Sequence, residues 1–248
     1  MSQFKDHFSE RAAGYASHRP RYTKELAHWL ARIAPARHLA WDAGCGSGQL
    51  STLLGDEFDQ VIATDASASQ IDQAEPHPRV EYRAEPAETS SLADSSADLI
   101  TVAQAAHWMD LDAFYMEVRR VARAGAGLAL IAYGVAIIEP EIDAVIDRFY
   151  SGDLDPYWPP ERKHIETEYR DLPFPFERIP SPPPLHLQVD WDVERMLGYI
   201  HTWSAVRALE KAKGPDVIEA FAKRLRDAWG AQTREVRWPL VLLVGRIQ

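Results

Sequence analysis

The amino-acid sequence predicts an α/β fold in which a mostly parallel sheet carries helices on both faces. Short apolar runs alternate with segments of helical periodicity from residue 22 to residue 134, as they do in parallel sheets. A glycine-rich turn joins the first predicted strand to the helix after it, and the second predicted strand ends in an acidic residue, Asp65. Ligands of such sheets bind at the carboxyl ends of the strands, so we expect the site at that edge.

The elements of the predicted sheet follow each other at short spacing. Leu26, Trp29, Leu30 and Ile33 form an apolar stripe at helical spacing, which predicts a first helix within residues 22–34. Two glycines at 125 and 127 predict a break before the last strand of this part. The predicted strands are 38–43, 60–65, 80–83, 97–103 and 128–133, and the helices between them are 49–54, 67–74 and 111–121.

The sequence changes character after Tyr133. Residues 151–184 hold nine of the 17 prolines of the chain, which excludes a long helix or a central strand. The same stretch is too rich in aromatic residues for a disordered linker, so we expect an ordered, irregular cover over the site. Around it, the patterns predict helices at 142–150, 193–209 and 218–229, the last with Pro215 near its start, and strands at 185–191 and 235–247.

Length and composition indicate one globular domain. The chain has 248 residues, of which 46% are hydrophobic and 26% charged, and this suffices for one large α/β domain with an insertion. The patterns divide it into an N-terminal helical segment (1–37), a ligand-binding core (38–134), a substrate-side insert or cover (135–214) and a C-terminal helix and strand (215–248).

Charge and cysteine content limit the classes of function. The formal net charge of −10 disfavours a nonspecific nucleic-acid binder. Cys45 is the only cysteine, so no intrachain disulfide can form. The first 20 residues lack the apolar region of a signal peptide, and no apolar run approaches the roughly 18 residues that span a membrane. We therefore expect a cytoplasmic protein, either a monomer or a homodimer, that binds neither nucleic acid nor a membrane.

The most informative motif is the turn at residues 42–48. Asp42 precedes three glycines at alternate positions, Gly44, Gly46 and Gly48, and a helical pattern begins at Gln49. Glycines allow unusual backbone angles and let a ligand approach the main chain closely. A dinucleotide fingerprint requires the spacing G-x-G-x-x-G, which this motif does not have. The spacing therefore disfavours a nicotinamide oxidoreductase.

These residues resemble the first motif of class I S-adenosylmethionine (SAM) methyltransferases of the type 11 family. The resemblance covers residues 38–134, and within the superfamily the chain is similar to the small-molecule group that includes trans-aconitate methyltransferases. The narrower likeness depends on Phe8, Tyr15, the run 19–22 (Arg-Pro-Arg-Tyr) and the run 104–108 (Gln-Ala-Ala-His-Trp).

The resemblance implies a Rossmann-like sheet of seven strands, the last antiparallel, with SAM across the carboxyl ends of the first four. The residues that it places around the methionine part are close to the first glycines, and Asp65 accepts hydrogen bonds from both ribose hydroxyls. The implied cofactor residues are Asp42, Gly44, Cys45, Gly46, Gly48, Asp65, Ala66, Ala87, Ala103 and Gln104.

The chain departs from the family pattern after the third strand. The family often has an Asp-Ala pair there, whose aspartate meets the adenine amino group. Here the corresponding residues are Pro86 and Ala87, followed by Glu88. The backbone N–H of Ala87 can still serve a ring nitrogen, while the side-chain contact is either missing or supplied by Glu85 or Glu88.

Several residues are candidates for the acceptor side. His107 follows a strand end and is the candidate base or orienter, unless it only shapes the SAM pocket. Arg19 can clamp a carboxylate through two hydrogen bonds, unless it forms a surface ion pair. The other candidates, for which core packing is the alternative, are Tyr22, Trp108, Tyr133, Trp158, Trp203 and Arg207.

The sequence therefore predicts methyl transfer from SAM to a small acceptor by in-line displacement, with a carboxylate or hydroxyl oxygen as the acceptor atom. Three aspartates, Asp94, Asp110 and Asp112, are not spaced like metal ligands, so we expect no metal. A nucleic-acid or protein methyltransferase is a weaker alternative, because residues 103–108 lack the Pro-Pro motif of amino-methylating enzymes. A non-catalytic SAM-binding regulator remains open, and turnover would exclude it.

Overall fold

The computed structural model describes residues 19–179 and 184–248, and its sheet positions the site. The sheet has eight strands in the order β3-β2-β1-β4-β5-β8-β6, with β7 paired to β8. The first five strands are parallel to each other. The strands are β1 (Leu39–Ala43), β2 (Gln60–Asp65), β3 (Val80–Ala84), β4 (Ala97–Ala103), β5 (Ala122–Tyr133), β6 (Glu177–Arg178), β7 (His186–Trp191) and β8 (Arg234–Arg246).

Helices cover both faces of the sheet, as predicted. The helices are α1 (Lys24–Ile33), α2 (Gln49–Glu57), α3 (Ala68–Ile71), α4 (Leu111–Val121), α5 (Pro140–Arg148), α6 (Arg162–Glu166), α7 (Val193–His201), α8 (Ser204–Lys213) and α9 (Asp216–Trp229). Leu26 and Leu30 of α1 are completely buried with Leu54 of α2 on one face. On the other face, Phe114 and Val118 of α4 are buried against the β1 side chains.

The sheet differs from the expected one in its last strands. The final strand β8 is antiparallel to β5, as expected. It pairs with β5 only over Leu240–Arg246, and its first half continues past the sheet and pairs with β7. The sequence predicted β7 but not the short strand β6, which pairs with β8 at Gly245 and Arg246, so the sheet has eight strands rather than seven.

Two local predictions from the sequence were wrong. Residues Gly125 and Gly127 do not break the chain, because β5 continues through both with a shift of register opposite β4. Gly125 takes a φ of +81°, and a Cβ at Gly127 would lie 3.2 Å from Ile33, so the glycines shape the strand instead of ending it. The single helix predicted over 193–209 is two helices. The first, α7, ends at His201, and α8 begins at Ser204 with Trp203 at its N-cap position.

A second compact layer stands beyond the carboxyl edge of the sheet, and we call it the cap. It consists of α5, α7, α8, α9, β7 and the first half of β8, which share one hydrophobic core. Phe149 stacks on Phe221 with ring centroids 3.8 Å apart, and Trp191 packs edge-on against Trp238 at 5.2 Å. The cap therefore covers the strand ends with a core that is rich in aromatic residues.

The proline-rich stretch covers the site only in part. Its first part, with Trp158 and Arg162, faces the strand ends. Its second part packs on the α4 face of the sheet, where the Tyr115 hydroxyl donates to the carbonyl of Pro173 at 2.8 Å. The expectation of one continuous cover over 151–184 was therefore wrong for this second part, and residues 180–183 lie outside the described residues.

Candidate active site

The glycine-rich turn after β1 depends on backbone angles that only glycine adopts readily. Gly44, Gly46 and Gly48 have φ angles of +68°, +55° and +83°. A Cβ at Gly44 would lie 2.6 Å from the Ala105 side chain, and one at Gly48 would lie 2.2 Å from the Tyr82 hydroxyl. A Cβ at Gly46 would have a single neighbour, 3.8 Å away. Gly44 and Gly48 therefore permit close packing of the protein, while Gly46 leaves room for a ligand.

Asp65 joins this turn to the end of β2. Its carboxylate accepts hydrogen bonds from the backbone N–H groups of Gly46 and Ser67, both at 2.9 Å. The N–H of Cys45 donates to the carbonyl of Thr64 at 3.0 Å. These two bonds fix the orientation of the Asp65 carboxylate at the wall of the site.

Asp42 is buried at the end of β1, with 1% of its surface exposed. Its carboxylate accepts hydrogen bonds from the hydroxyls of Ser51, at 2.6 Å, and Thr101, at 2.8 Å. Burial raises the pKa of Asp42 from 3.8 to about 6, although both hydroxyl bonds oppose the change. A charged group is thus held beneath the turn in an environment that disfavours its charge.

These residues line a cavity of about 140 Å³ at the carboxyl edge, which we call the cofactor-side cavity. It brings together seven of the ten predicted cofactor residues, namely Asp42, Gly44, Cys45, Gly46, Asp65, Ala103 and Gln104. Its further lining residues are Arg19, Tyr22, Ser47, Gln49, Leu50, Gln70, Ala105, Trp108 and Tyr133. Four of them, Arg19, Tyr22, Trp108 and Tyr133, are residues that the sequence proposed for the acceptor side, whereas Gln49, Leu50 and Gln70 come from helices α2 and α3 and were not predicted as site residues.

The remaining predicted cofactor residues lie outside this lining. Gly48 is buried against Tyr82, Ala66 is exposed beside Asp65, and Ala87 is buried in the core on the α4 face. The two acidic candidates for the adenine contact both bind the protein. Glu85 accepts from the N–H and hydroxyl of Ser91, and Glu88 accepts from the N–H of Asp110 at 3.1 Å.

A second cavity of about 280 Å³ adjoins the first, between the strand ends and the cap, and we call it the acceptor-side cavity. Its lining contains three arginines and no aspartate or glutamate. The lining includes seven predicted acceptor residues, Arg19, His107, Trp108, Tyr133, Trp158, Trp203 and Arg207. The remaining lining residues are Gln104, Gly134, Tyr157, Pro159, Arg162, Tyr199, Thr202, Ser204 and Ala208.

The two cavities share a wall made of Arg19, Gln104, Trp108 and Tyr133. Gln104 has a φ of +57°, which is uncommon for a residue other than glycine. Its side-chain amide donates to the carbonyl of Tyr133 at 2.9 Å, and its backbone N–H donates to the carbonyl of Ile131 at 2.8 Å. These two hydrogen bonds hold Gln104 in its strained conformation where the two cavities meet, between the predicted sites of the methyl donor and the methyl acceptor.

Tyr22 lies on the cofactor side rather than the acceptor side for which the sequence proposed it. Its ring packs edge-on against Tyr133 at 6.5 Å. The neighbouring Arg21 pairs with Glu75, whose N–H donates to the carbonyl of Ser47 in the turn at 3.1 Å. Residues 19–22 thus lie across both cavities, while Phe8 and Tyr15 lie outside the described residues.

His107 faces the acceptor-side cavity from the short helical turn after β4. Its Nδ1 lies 3.0 Å from the hydroxyl of Tyr169, and its ring packs against Trp108 at 4.9 Å. Burial, with smaller contributions from Arg162, His164 and Arg19, lowers the pKa of His107 from 6.5 to about 3. The imidazole is therefore neutral at physiological pH.

Arg162 is a site residue that sequence reasoning missed. Its Nε donates to the Tyr150 hydroxyl at 2.7 Å, and that hydroxyl donates to Glu166 at 3.0 Å. The guanidinium lies over the Trp158 ring, 5.0 Å from its centre. In the sequence, Arg162 stands in the charged run 161–163, which looks like a solvated surface, so no local signal distinguished it.

Comparison with known proteins agrees with this geometry. A family model described as "Methyltransferase domain" matches residues 41–130. A "Putative methyltransferase" of Dictyostelium discoideum is 34% identical over 254 residues, which cover 99% of this chain and 96% of that protein. The chain belongs to the class I SAM-dependent methyltransferases.

Solved structures support the same assignment. A structure from Anaeromyxobacter dehalogenans, described as a "Putative Type II Methyltransferase", is 48% identical to this methyltransferase with a TM-score of 0.87. The match covers 92% of this chain and 97% of that one. A "Putative methyltransferase from antibiotic biosynthesis pathway" of Anabaena variabilis is 19% identical, with a TM-score of 0.53 and coverage of 87% and 96%. At that identity it shows the fold alone.

Three further observations concern a cysteine nucleophile, a metal site and membrane-spanning helices in this methyltransferase. Burial raises the pKa of the Cys45 thiol well above its usual value, which argues against a thiolate nucleophile. Within residues 19–179 and 184–248, no three His, Cys, Asp or Glu side chains are grouped as a metal site. No helix in this part of the chain is long and apolar enough to cross a membrane.

Proposed function

We propose that this methyltransferase transfers the methyl group of SAM to an oxygen of a small carboxylate acceptor. The observation that carries the proposal is the lining of the acceptor-side cavity, which has three arginines and no acidic residue. The whole protein has a net charge of −10, so this local excess of positive charge is not an average property of its surface. Guanidinium groups bind carboxylates through paired, charge-assisted hydrogen bonds.

The three arginines differ in how the protein holds them. Arg162 is fixed by Tyr150 and Trp158, and Arg19 belongs to the wall between the cavities. Arg207 is exposed at the start of α8, and its guanidinium pairs with no side chain of the described residues. We infer that Arg162 and Arg19 bind the acceptor inside the cavity, while Arg207 attracts it at the entrance.

The aromatic walls restrict the rest of the acceptor. Trp158 and Trp203 lie 5.8 Å apart, and Tyr199 packs edge-on against Trp203 at 5.8 Å. The cavity thus combines aromatic walls with three arginines. This combination favours a small di- or tricarboxylate whose carbon skeleton contacts the aromatic rings.

Two features of the cofactor-side cavity support SAM binding. Gly46 leaves space for a ligand, and the Asp65 carboxylate is held in a fixed orientation at the end of β2. Bound SAM supplies a methyl group on a sulfonium, which is already activated for displacement. Gly46, Asp65 and Gln104 would hold it, with Gln104 next to the acceptor.

The protein then contributes position rather than acid or base chemistry. A carboxylate is ionised near pH 7 and needs no base, because its pKa is about 4. Arg19 and Arg162 hold it in the cavity, and the cap above excludes water. Holding two reactants in line can lower a barrier by about 7–11 kcal/mol in favourable intramolecular models.

The test is an acceptor screen. Purified protein and SAM are incubated with di- and tricarboxylates, and with hydroxyl and amine analogues of the same skeletons. Release of S-adenosylhomocysteine and the mass of the product are measured. We expect methyl esters from a carboxylate, and we expect Arg162→Gln to raise the acceptor KM about 10- to 100-fold, which corresponds to about 1.4–2.8 kcal/mol, without changing the KM of SAM.

The matched control is Arg237→Gln, because Arg237 is an exposed arginine of the cap that pairs with Glu235 and lines neither cavity. It should leave both KM values unchanged. Methylation of hydroxyls or amines alone would overturn the carboxylate proposal. An acceptor KM that Arg162→Gln leaves unchanged would also overturn it. Tight SAM binding with no acceptor methylated would favour the non-catalytic regulator instead.

A further inference from the structure

Two consecutive residues take an unusual backbone conformation behind the acceptor-side cavity. Glu168 and Tyr169 have φ angles of +55° and +58°, and a bulky residue rarely adopts such angles. Tyr169 is nevertheless 1% exposed and belongs to the core on the α4 face. Strain of this kind persists only where the surrounding structure enforces it, and it is concentrated at functional sites.

The strained turn directs the Tyr169 hydroxyl at His107. The hydroxyl lies 3.0 Å from Nδ1 of the imidazole. Among residues 19–179 and 184–248, no other side chain or carbonyl accepts a hydrogen bond from this hydroxyl. If Nδ1 carried the proton, the buried hydroxyl would have no acceptor, which is unfavourable in a core. The hydroxyl therefore donates to Nδ1, and the ring proton of the neutral imidazole is on Nε2.

The other side of the ring faces the acceptor. His107 lines the acceptor-side cavity, whereas Tyr169 does not. Nε2 has no hydrogen-bond partner among the described residues and is not among their fully buried polar atoms. The charged and titratable groups around the imidazole are Arg162, Arg19, His164 and Tyr169. The arginines oppose protonation of the ring, and none of these groups is an anion that would favour it.

We infer that Tyr169 is a positioning residue that keeps His107 in its neutral Nε2–H tautomer, so that the imidazole donates a hydrogen bond to the acceptor and does not remove a proton from it. The inference rests on the proposed function, since it concerns how a carboxylate is held. A carboxylate oxygen accepts from Nε2–H, while its other oxygen remains for methylation. A neutral hydroxyl acceptor would find no base at this position.

The first test reads the tautomer directly and needs no substrate. The full-length protein is labelled with ¹⁵N-histidine, and His107→Gln identifies the signals of His107 among the nine histidines. We expect a protonated Nε2 and an unprotonated Nδ1 from pH 5 to pH 8, as burial and the arginines keep the ring neutral. Tyr169→Phe should remove the preference between the two nitrogens.

The control for this test is Tyr115→Phe. Tyr115 is also buried on the α4 face, and its hydroxyl donates to the Pro173 carbonyl rather than to a histidine. It should alter stability without changing the His107 signals. In the unmodified protein, a proton on Nδ1 of His107 or an imidazolium at pH 7 would overturn the inference. This result does not depend on how well the variants fold.

The second test uses the carboxylate acceptor found in the screen. Tyr169→Phe should lower kcat/KM about tenfold, without changing SAM affinity. A glutamine amide can take the place of the Nε2 donor, so His107→Gln should keep part of the activity and make it insensitive to Tyr169→Phe. Equal effects of Tyr169→Phe in both backgrounds would contradict the inference.

The two proposals fail in different ways. If His107 has the expected tautomer and only hydroxyl or amine acceptors are methylated, the proposed function is wrong. If carboxylates are methylated but the proton is on Nδ1, the proposed function stands and the role of Tyr169 is wrong.

Discussion

Asp42 offers a quantitative test of how the site is built. Replacing it by asparagine keeps the shape of the side chain and lets the amide bind both hydroxyls, accepting from one of Ser51 and Thr101 and donating to the other. What the substitution removes is the buried charge. We therefore expect Asp42→Asn to stabilise the protein at neutral pH while weakening SAM binding, because Asp42 lines the cofactor-side cavity.

The magnitude follows from the raised pKa. A change from 3.8 to about 6 corresponds to about 3 kcal/mol, at about 1.4 kcal/mol for each tenfold change in proton affinity. Asp42 is almost fully buried, so solvent screening does not reduce this value. Below the unfolded-state pKa both states are protonated and there is no penalty. As the pH rises from about 4 to about 6, the folded state loses about 3 kcal/mol relative to the unfolded state, and above about 6 the loss is complete.

The assay is denaturant unfolding of both proteins at several pH values from 4 to 8. The difference in free energy of unfolding isolates Asp42, since the other titrating groups are common to both proteins. We expect the difference to grow by about 3 kcal/mol in favour of asparagine over this range. A difference that stays constant with pH, or grows in the opposite direction, would refute the reasoning.

The matched control is Asp98→Asn. Asp98 is also completely buried, but it accepts from the N–H groups of His38 and Leu39 and pairs with Arg123. Removing this charge should destabilise the protein by about 1–3 kcal/mol, because charge-assisted bonds are lost. If Asp42→Asn stabilises the protein and Asp98→Asn destabilises it, the buried charge of Asp98 is compensated by its partners and that of Asp42 is not.

Two predictions concern the glycine turn. Asp65→Ala removes the acceptor of the Gly46 and Ser67 N–H groups, and we expect the Kd of SAM to rise at least about 100-fold in calorimetry. An unchanged Kd in a folded variant would mean that SAM binds elsewhere. Gly46→Val should prevent SAM binding, since its side chain would point into open space of the cavity. Gly48→Ala should lower the melting temperature, because its Cβ would lie 2.2 Å from the Tyr82 hydroxyl. Both substitutions strain a backbone with positive φ, so the result that would contradict this division is an unchanged SAM affinity in a folded Gly46→Val variant.

The cofactor side could be predicted because its requirements are local. Asp42, Gly44, Gly46 and Gly48 lie within seven residues, and the position of the third glycine separated this turn from a dinucleotide fingerprint. Asp65 follows from chain order, since the second strand must end beside the first. Most of these positions line one cavity in the structure. Ala66 and Ala87 were placed by resemblance, and neither lines a described cavity.

The acceptor side was predicted only in part because it is assembled by packing. Arg162 and Tyr169 belong to a proline-rich stretch with no periodicity, where sequence patterns carry little information. Tyr169 reaches His107 through a turn with two positive φ angles at residues that are not glycine. Propensity arguments exclude such a turn, and only the surrounding core can enforce it.

The sequence by itself determined the α/β fold and the glycine-rich turn, and it predicted Asp65 as the acidic residue beside that turn. These depend on alternating hydrophobicity and on backbone angles that particular residues allow. The tertiary structure decided what lies opposite the cofactor. It joined Arg19, from before the first helix, with Arg162 of α6 and Arg207 of the cap in one cavity whose lining has no acidic residue. That charge distribution depends on contacts between distant segments, and it is what favours a carboxylate as the acceptor.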